Sequence, residues 1–361
     1  MSTKPSASTT TETDPNPPPA LLPNLPYDIG LQCIARVPRS HHPHLSLVSK
    51  QWKSLLQSPI FFSTRLNLNS TQTHFYLNFR IHCTHFKWYV LHPNPRLVFQ
   101  VPQMPFDAIG SAYAVLGPKI FVIGGSIADI PSKHMWVFDA RFNRWERGPN
   151  MRVGREFAAA GVVNGKVYVL GGCLVDTWAR STNWAEVFDP EIGSWATVPS
   201  PIEVRDKWMH ASAVMGDRIY AMADRGGVVF DPREKLWSGV STELDLGWRG
   251  RGAVVDGVLY CYDYLGKIRG FDEEEDKWKE VRGLEKGLPK FLCGATMANV
   301  GGRLVVVWEA KINSKETQIS CAEIEVRKDD NGDLLGTIVW SAVILSVPSG
   351  SSIVHCAGVV V

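Results

Sequence analysis

The 361-residue sequence has no run of about 18 apolar residues, so no segment is suited to cross a bilayer as a helix. It has no excess of either charge. Its 38 Lys and Arg stand against 36 Asp and Glu, which argues against whole-surface binding to nucleic acid or acidic membrane. Residues 1–20 lack the apolar stretch of a secretion signal. The seven cysteines (Cys33, Cys83, Cys173, Cys261, Cys293, Cys321 and Cys356) are odd in number and form no CxxC. Together these absences predict an intracellular protein, in cytoplasm or nucleus, with reduced thiols and an unused sequon at Asn69-Ser70-Thr71. Gly 31 and Pro 23 leave the chain well short of low complexity. What is plentiful is tryptophan: 13, more than Tyr 9 or Met 8.

Three regions differ in pattern. Residues 1–20 are rich in Ser, Thr and Pro and too polar to bury anything, so a disordered tail is expected there. Residues 21–66 read as helical. Ile29, Cys33, Ile34 and Val37 recur at near-helical spacing until Pro38, and Leu45, Val48, Trp52 and Leu55 do so until Pro59. This stretch carries the chain's one local charge bias, with Arg36, Arg39, Lys50, Lys53 and Arg65 against Asp28.

From about residue 75 the apolar period becomes two, and repeats appear. Phe138, Phe188, Phe230 and Phe271, each followed by Asp, precede Trp145, Trp195, Trp237 and Trp278 by the same interval. Upstream lie β-branched and aromatic runs, such as Ile120–Ile123 before Gly124-Gly125 and Val167–Leu170 before Gly171-Gly172. Further copies are Ile219–Met222 and Leu259–Tyr262, with a weaker fifth at Leu304–Val307. Before each run a small-residue strand ends in a two-residue turn: Asn164-Gly165, Gly216-Asp217, Asp256-Gly257 and Gly301-Gly302 suit tight hairpins, and Gly117-Pro118 suits them poorly. Each unit is then four antiparallel strands, the pattern of a propeller blade. The last segment, His355–Val361, is a first strand without partners. Phe75–Phe79, Trp88–Pro93 and Val98 supply the missing ones near the start. Five whole blades and one composite predict an all-β six-bladed propeller over residues 67–361, closed by joining the two ends of that region.

The repeats resemble kelch repeats through Gly124-Gly125 with Trp145 and Gly171-Gly172 with Trp195. Units three and four depart from the pattern at Ala223-Asp224 and Asp263-Tyr264, and unit five carries an insertion around 328–332 before Trp340. Residues 21–66 resemble an F-box, through Leu25-Pro26, Ile34-Ala35-Arg36-Val37-Pro38, Leu47-Val48-Ser49-Lys50-Gln51-Trp52 and Ser58-Pro59. The whole is similar to plant-type F-box/kelch-repeat proteins. That resemblance implies a non-catalytic substrate receptor of a Skp–cullin–F-box (SCF) type cullin-RING ubiquitin ligase, in which a small all-α F-box binds a Skp-type adaptor and the kelch propeller holds a target protein.

A helical module this small has more apolar positions than its own core needs. Leu25, Pro26, Ile29, Ile34, Val37, Pro38, Val48, Trp52 and Leu55 are therefore the expected adaptor surface, with Trp52 its main anchor and Ile34, Val48 and Leu55 the residues that equally suit the module's core. In the propeller, the segments before the first strands offer Arg152, Arg155, Arg205, Lys207, Trp208, His210, Trp248, Arg249 and Arg251, with Lys290 and Phe291. Interleaved cations and aromatics suit an acidic or phosphorylated peptide, though bridging between blades is the plainer use. Loops 126–133 and 173–183 are further candidates. The repeat tryptophans 145, 195, 237, 278 and 340 are expected in blade cores. His82-Cys83-Thr84-His85 lacks a second cluster at zinc spacing, so no metal and no cofactor is expected. The competing classes are a kelch-propeller enzyme, as galactose oxidase is, and a kelch scaffold outside ubiquitination. No nucleophile elbow or ligand set supports an enzyme.

Overall fold

The computed structural model describes residues 19–81, 85–93, 96–173, 181–205, 207, 209–224, 226–248, 250–263, 265–311 and 313–361. The tail expected at 1–20 lies outside these except for Pro19 and Ala20. The chain divides into two compact units, Met1–Thr71 and Gln72–Val361.

The first unit is helical: α1 (Tyr27–Ala35), α2 (His42–Leu45), α3 (Lys50–Leu56) and α4 (Pro59–Asn67). Helix α1 follows Pro26, carries Asp28 in its first turn, and buries Gly30, Leu31, Ile34 and Ala35. Ile29, expected on the adaptor surface, and Cys33 are exposed. Pro59 does not end the helical region but begins α4. Ser58 accepts the Phe61 amide hydrogen, and proline at N1 gives up no hydrogen bond. The core closes on Phe61, Phe62, Leu55 and Leu56. Arg65, one of the cations in the module's charge bias, is 1% exposed. Its Nη1 donates to the carbonyls of Ala35 and Val37 at 2.8 Å, capping α1, and burial followed by the field of Arg39 lowers its pKa to about 10.

The second unit is a propeller of six four-stranded antiparallel sheets, as the repeats predicted. Blades one to four are built from strands at Ala112–Leu116, Lys119–Ile123, Met135–Asp139 and Arg144–Arg147; Ala159–Val163, Lys166–Leu170, Ala185–Asp189 and Ser194–Val198; Met209–Met215, Arg218–Ala223, Val228–Asp231 and Leu236–Gly239; and Ala253–Val255, Val258–Tyr262, Ile268–Asp272 and Lys277–Glu280. Blade five uses Thr296–Val300, Arg303–Lys311, Glu316–Lys328 and Leu334–Pro348. Blade six is the composite: Ser352–Val360 pairs with Thr73–Ile81, followed by His85–Leu91 and Val98–Gln100. One short helix, α5 (Thr242–Gly247), connects blades three and four.

The fixed Phe-to-Trp interval has a local cause. Phe138, Phe188, Phe230 and Phe271 pair directly with Trp145, Trp195, Trp237 and Trp278. In the turn between them, the following aspartate accepts an amide hydrogen two residues on (Asp139 from Arg141, Asp189 from Glu191, Asp231 from Arg233, Asp272 from Glu274). A residue with positive φ then closes it: Asn143, Gly193, Lys235 or Asp276. Gly117-Pro118, expected to fit badly, makes a two-residue hairpin like the others. Gly117 takes φ 54° and proline suits the second turn position.

Each of these four indoles also reaches back to the preceding blade. Trp145, Trp195, Trp237 and Trp278 donate Nε1 hydrogens to the carbonyls of Pro102, Pro149, Pro199 and Glu243 at 2.8–2.9 Å. Trp340 does not share that position. A bulge between Glu323 and Ile324 puts Ile338 opposite Ile324, and Trp340 faces Glu323, whose carboxylate accepts its Nε1 hydrogen. The core lies in layers between neighbouring blades, for example Val167, Val169 and Phe188 with Phe121 and Ile123.

The glycine doublets serve close approach. Gly124, at φ 65°, would place a Cβ 2.5 Å from the Arg155 carbonyl, and Gly172 a Cβ 2.4 Å from the Glu156 carbonyl. Both contacts bring the segment entering blade two against a blade's second strand.

Candidate functional site

Two surfaces stand out, one on each unit. On the helical unit, the apolar side chains that its own core leaves uncovered are Leu25, Ile29, Leu47, Val48, Ile60 and Leu66. Leu47 and Val48 are the most open of the expected motif, at 82% and 61%, and sit just before α3, where Ser49 caps the helix by accepting the Trp52 amide hydrogen. Pro26 and Pro38 are exposed and Val37 is half-buried. Two of the expected surface residues are elsewhere. Ile34 and Leu55 are in the module's core because they lie on the inward faces of α1 and α3. Trp52 is half-buried and donates its Nε1 hydrogen to the Leu21 carbonyl at 3.0 Å, so its indole is tied to the module's own chain entry. Ile60 and Leu66 belong to α4, which the sequence reading missed; Ser58-Pro59 was the available signal.

On the propeller, the first strands of blades one, two, three, five and six, with the segment entering blade four, line a central cavity of about 340 Å³. Its chemistry is set by Arg80, Tyr113, His210, Ser212, Arg251 and His355, and no carboxylate is among its lining residues. Arg251 donates to the Ile353 carbonyl at 2.8 Å. Arg80 makes no ion pair or side-chain hydrogen bond among the described residues. His355 stacks on Tyr113 with ring centres 4.3 Å apart, and Asn78 donates to the Tyr113 hydroxyl at 3.1 Å. Burial lowers the His355 pKa to about 3, with Arg251 adding to the effect, so the imidazole is neutral at pH 7. Burial likewise raises the Tyr113 hydroxyl to about 12.

Of the residues expected to face a target, His210 and Arg251 are at this mouth. Trp208 and Arg249 lie outside the described residues. Arg152 is exposed, and its backbone amide donates to Glu186 at 2.9 Å. Arg205 folds onto Ser200, Lys207 donates to the Gly226 carbonyl, and Lys290 and Phe291 are exposed. Two others are corrected. Trp248 is buried in the layer between blades three and four. Arg155 is buried too, its guanidinium donating to Glu186, Gly171 and Trp184 at 2.7 Å and to Asn183. Arg80, Tyr113 and His355 were not foreseen. Arg80 pairs across from Ser352 in the composite blade, so aligning its second strand on the others would have revealed it.

Among the described residues, no group of three His, Cys, Asp or Glu side chains is placed to hold a metal ion. His82, Cys83 and Thr84 lie outside them, and His85 pairs with Asp107. The six described cysteines are free. No described helix is long and apolar enough to cross a membrane.

Comparison with known proteins bears on both surfaces. Residues 22–64 match the F-box domain, and residues 81–345 match the FKB95 kelch-repeats domain. The chain is 33% identical to the F-box/kelch-repeat protein At4g39550 of Arabidopsis thaliana, covering 98% of this chain and 96% of that one. It is 32% identical to the F-box/kelch-repeat protein At4g39590, covering 93% and 89%. The chain belongs to the F-box/kelch-repeat family. F-box and kelch propeller in one chain mark an SCF-type substrate-receptor family, whose members are generally non-catalytic adaptors. In this F-box/kelch-repeat chain the exposed apolar set lies in the F-box and the cationic mouth in the kelch ring.

Proposed function

We infer that this protein is the substrate-recognition subunit of an SCF-type cullin-RING ubiquitin ligase and acts inside the cell. Its F-box binds a Skp-type adaptor through Leu25, Pro26, Ile29, Val37, Pro38, Leu47 and Val48, while Trp52 holds the module's shape. The kelch propeller holds a target protein at the channel mouth, where Arg80, His210 and Arg251 favour an acidic segment. The chain itself performs no bond chemistry. It positions the target for ubiquitin transfer by the rest of the ligase.

The observation that carries this reading is the uncovered apolar set at Leu47 and Val48 inside the F-box match. Hydrophobic side chains open to this degree in a module that already has a closed core fit a partner's surface. The experiment is co-purification with a Skp-type adaptor. Wild type retains the adaptor, and Leu47→Asp with Val48→Asp loses it while the propeller stays folded by circular dichroism. A wild-type chain that retains no such adaptor overturns the reading.

A further inference from the structure

Four neighbouring seams of the propeller are closed by an indole from the following blade, but the seam between blades five and six is not. Where Phe138 pairs with Trp145, the composite blade pairs Leu91 with Val98. Both side chains are smaller, and neither carries a ring or an N–H to bind a carbonyl. Trp340 enters this seam instead, from the bulged outer strand of blade five.

A cleft of about 340 Å³ remains there. Its floor is apolar, made by Phe75, Leu91, Val300 and Val305, and Trp340 forms a wall. Thr73, Gln72 and His92 border it. At the rim, the Arg96 guanidinium lies 4.6 Å from the centre of the Trp340 ring. Arg96 is exposed and has no ion pair or hydrogen bond among the described residues. The carboxylate at the cleft, Glu323, is engaged by the Trp340 Nε1 hydrogen and by Arg303 at 2.6 Å. Two guanidiniums against one carboxylate leave one positive charge, and it sits on Arg96.

We propose that this cleft binds a small aromatic carboxylate. The ring lies on the apolar floor against Trp340, and the carboxylate takes the two-pronged hydrogen bonds that Arg96 has free. The volume is at the lower end of small-molecule sites and admits one or two fused rings. A neutral aromatic would leave Arg96 unanswered, and an aliphatic acid would forgo the contact with the indole.

The test is titration calorimetry of the full-length chain with 2-naphthoate, with 2-naphthamide as the neutral probe. Saturable one-to-one binding of the acid is expected, weakened at least about tenfold for the amide and in Arg96→Gln. Arg96 is exposed, so that variant keeps the fold. Arg282→Gln, which removes an exposed arginine paired with Asp333, neither of which lines the cleft, leaves the affinity unchanged. Absence of saturation at millimolar acid overturns the proposal. So does equal affinity in wild type and Arg96→Gln, or equal weakening by Arg282→Gln.

Discussion

Replacing Glu186 by Gln keeps the shape of the side chain and removes one buried charge. The structure makes that change expensive. Arg155, in the segment that joins blades one and two, is 1% exposed, and Glu186, on the third strand of blade two, is fully buried 2.7 Å away. Gly125 also donates its amide hydrogen to the Arg155 carbonyl, so the residue holds blade one by its backbone and blade two by its guanidinium. In Glu186→Gln the carbonyls of Gly171, Trp184 and Asn183 still accept from Arg155, but the positive charge has lost its counter-ion in a site closed to water. Breaking a buried pair in this way costs about 3–5 kcal/mol. A domain of this size loses about 2–4 °C in its unfolding midpoint per kcal/mol, so a fall of about 6–20 °C is expected in a thermal melt followed by fluorescence. Arg233→Gln is the control. Its pairing with Asp217 is solvent-exposed and contributes less than about 1 kcal/mol. A Glu186→Gln midpoint within about 2 °C of wild type would refute the assignment of Arg155 to blade bridging.

Two further outcomes follow from the seams and the channel. Trp195→Phe and Trp237→Phe each lose an indole hydrogen bond to the preceding blade, at Pro149 and Pro199, and are expected to lower stability by about 1 kcal/mol or more in denaturant unfolding. Trp340→Phe leaves no main-chain carbonyl without a donor, so an equal or larger loss there would contradict the distinction drawn between the two positions. His355 is held neutral in the folded state, with a pKa of about 3 against 6.5 for a free imidazole. A depressed folded value means the stabilisation is present above pH 6.5 and is lost as pH falls toward 3. The wild-type midpoint should therefore decline from pH 7 to pH 4 more steeply than that of His355→Gln; parallel declines would remove His355 from the acid response.

Much of the architecture was legible because it rests on short-range chemistry. The Phe-Asp to Trp interval is one turn, set by an aspartate cap and one residue of positive φ, and four copies of it announce four blades. The composite blade could be read from strands left over at the two ends of the repeat region. Helix α4 was missed because Pro59 was taken as an end, although Ser58 before it is a cap. Side-chain direction was the other failure. Ile34 and Leu55, expected on the adaptor surface, face inward, since they pack with Leu31 and Ala35 in the module's core. Arg155 and Arg65 look like surface cations until the carbonyls that hold them are known.

The sequence by itself determined the number of blades, the helical module ahead of them and the family to which both belong, since each is encoded in spacings shorter than one repeat. Only the tertiary structure decided which side chains are free to bind. Tyr113, His210 and His355 meet because the first strands converge on one axis, and Arg80, from the second strand of blade six, and Arg251, from the segment entering blade four, join them there. Trp340 leaves the repeat position because a bulge adds one residue to its strand. Those placements depend on contacts between residues far apart in the chain, which no local spacing records.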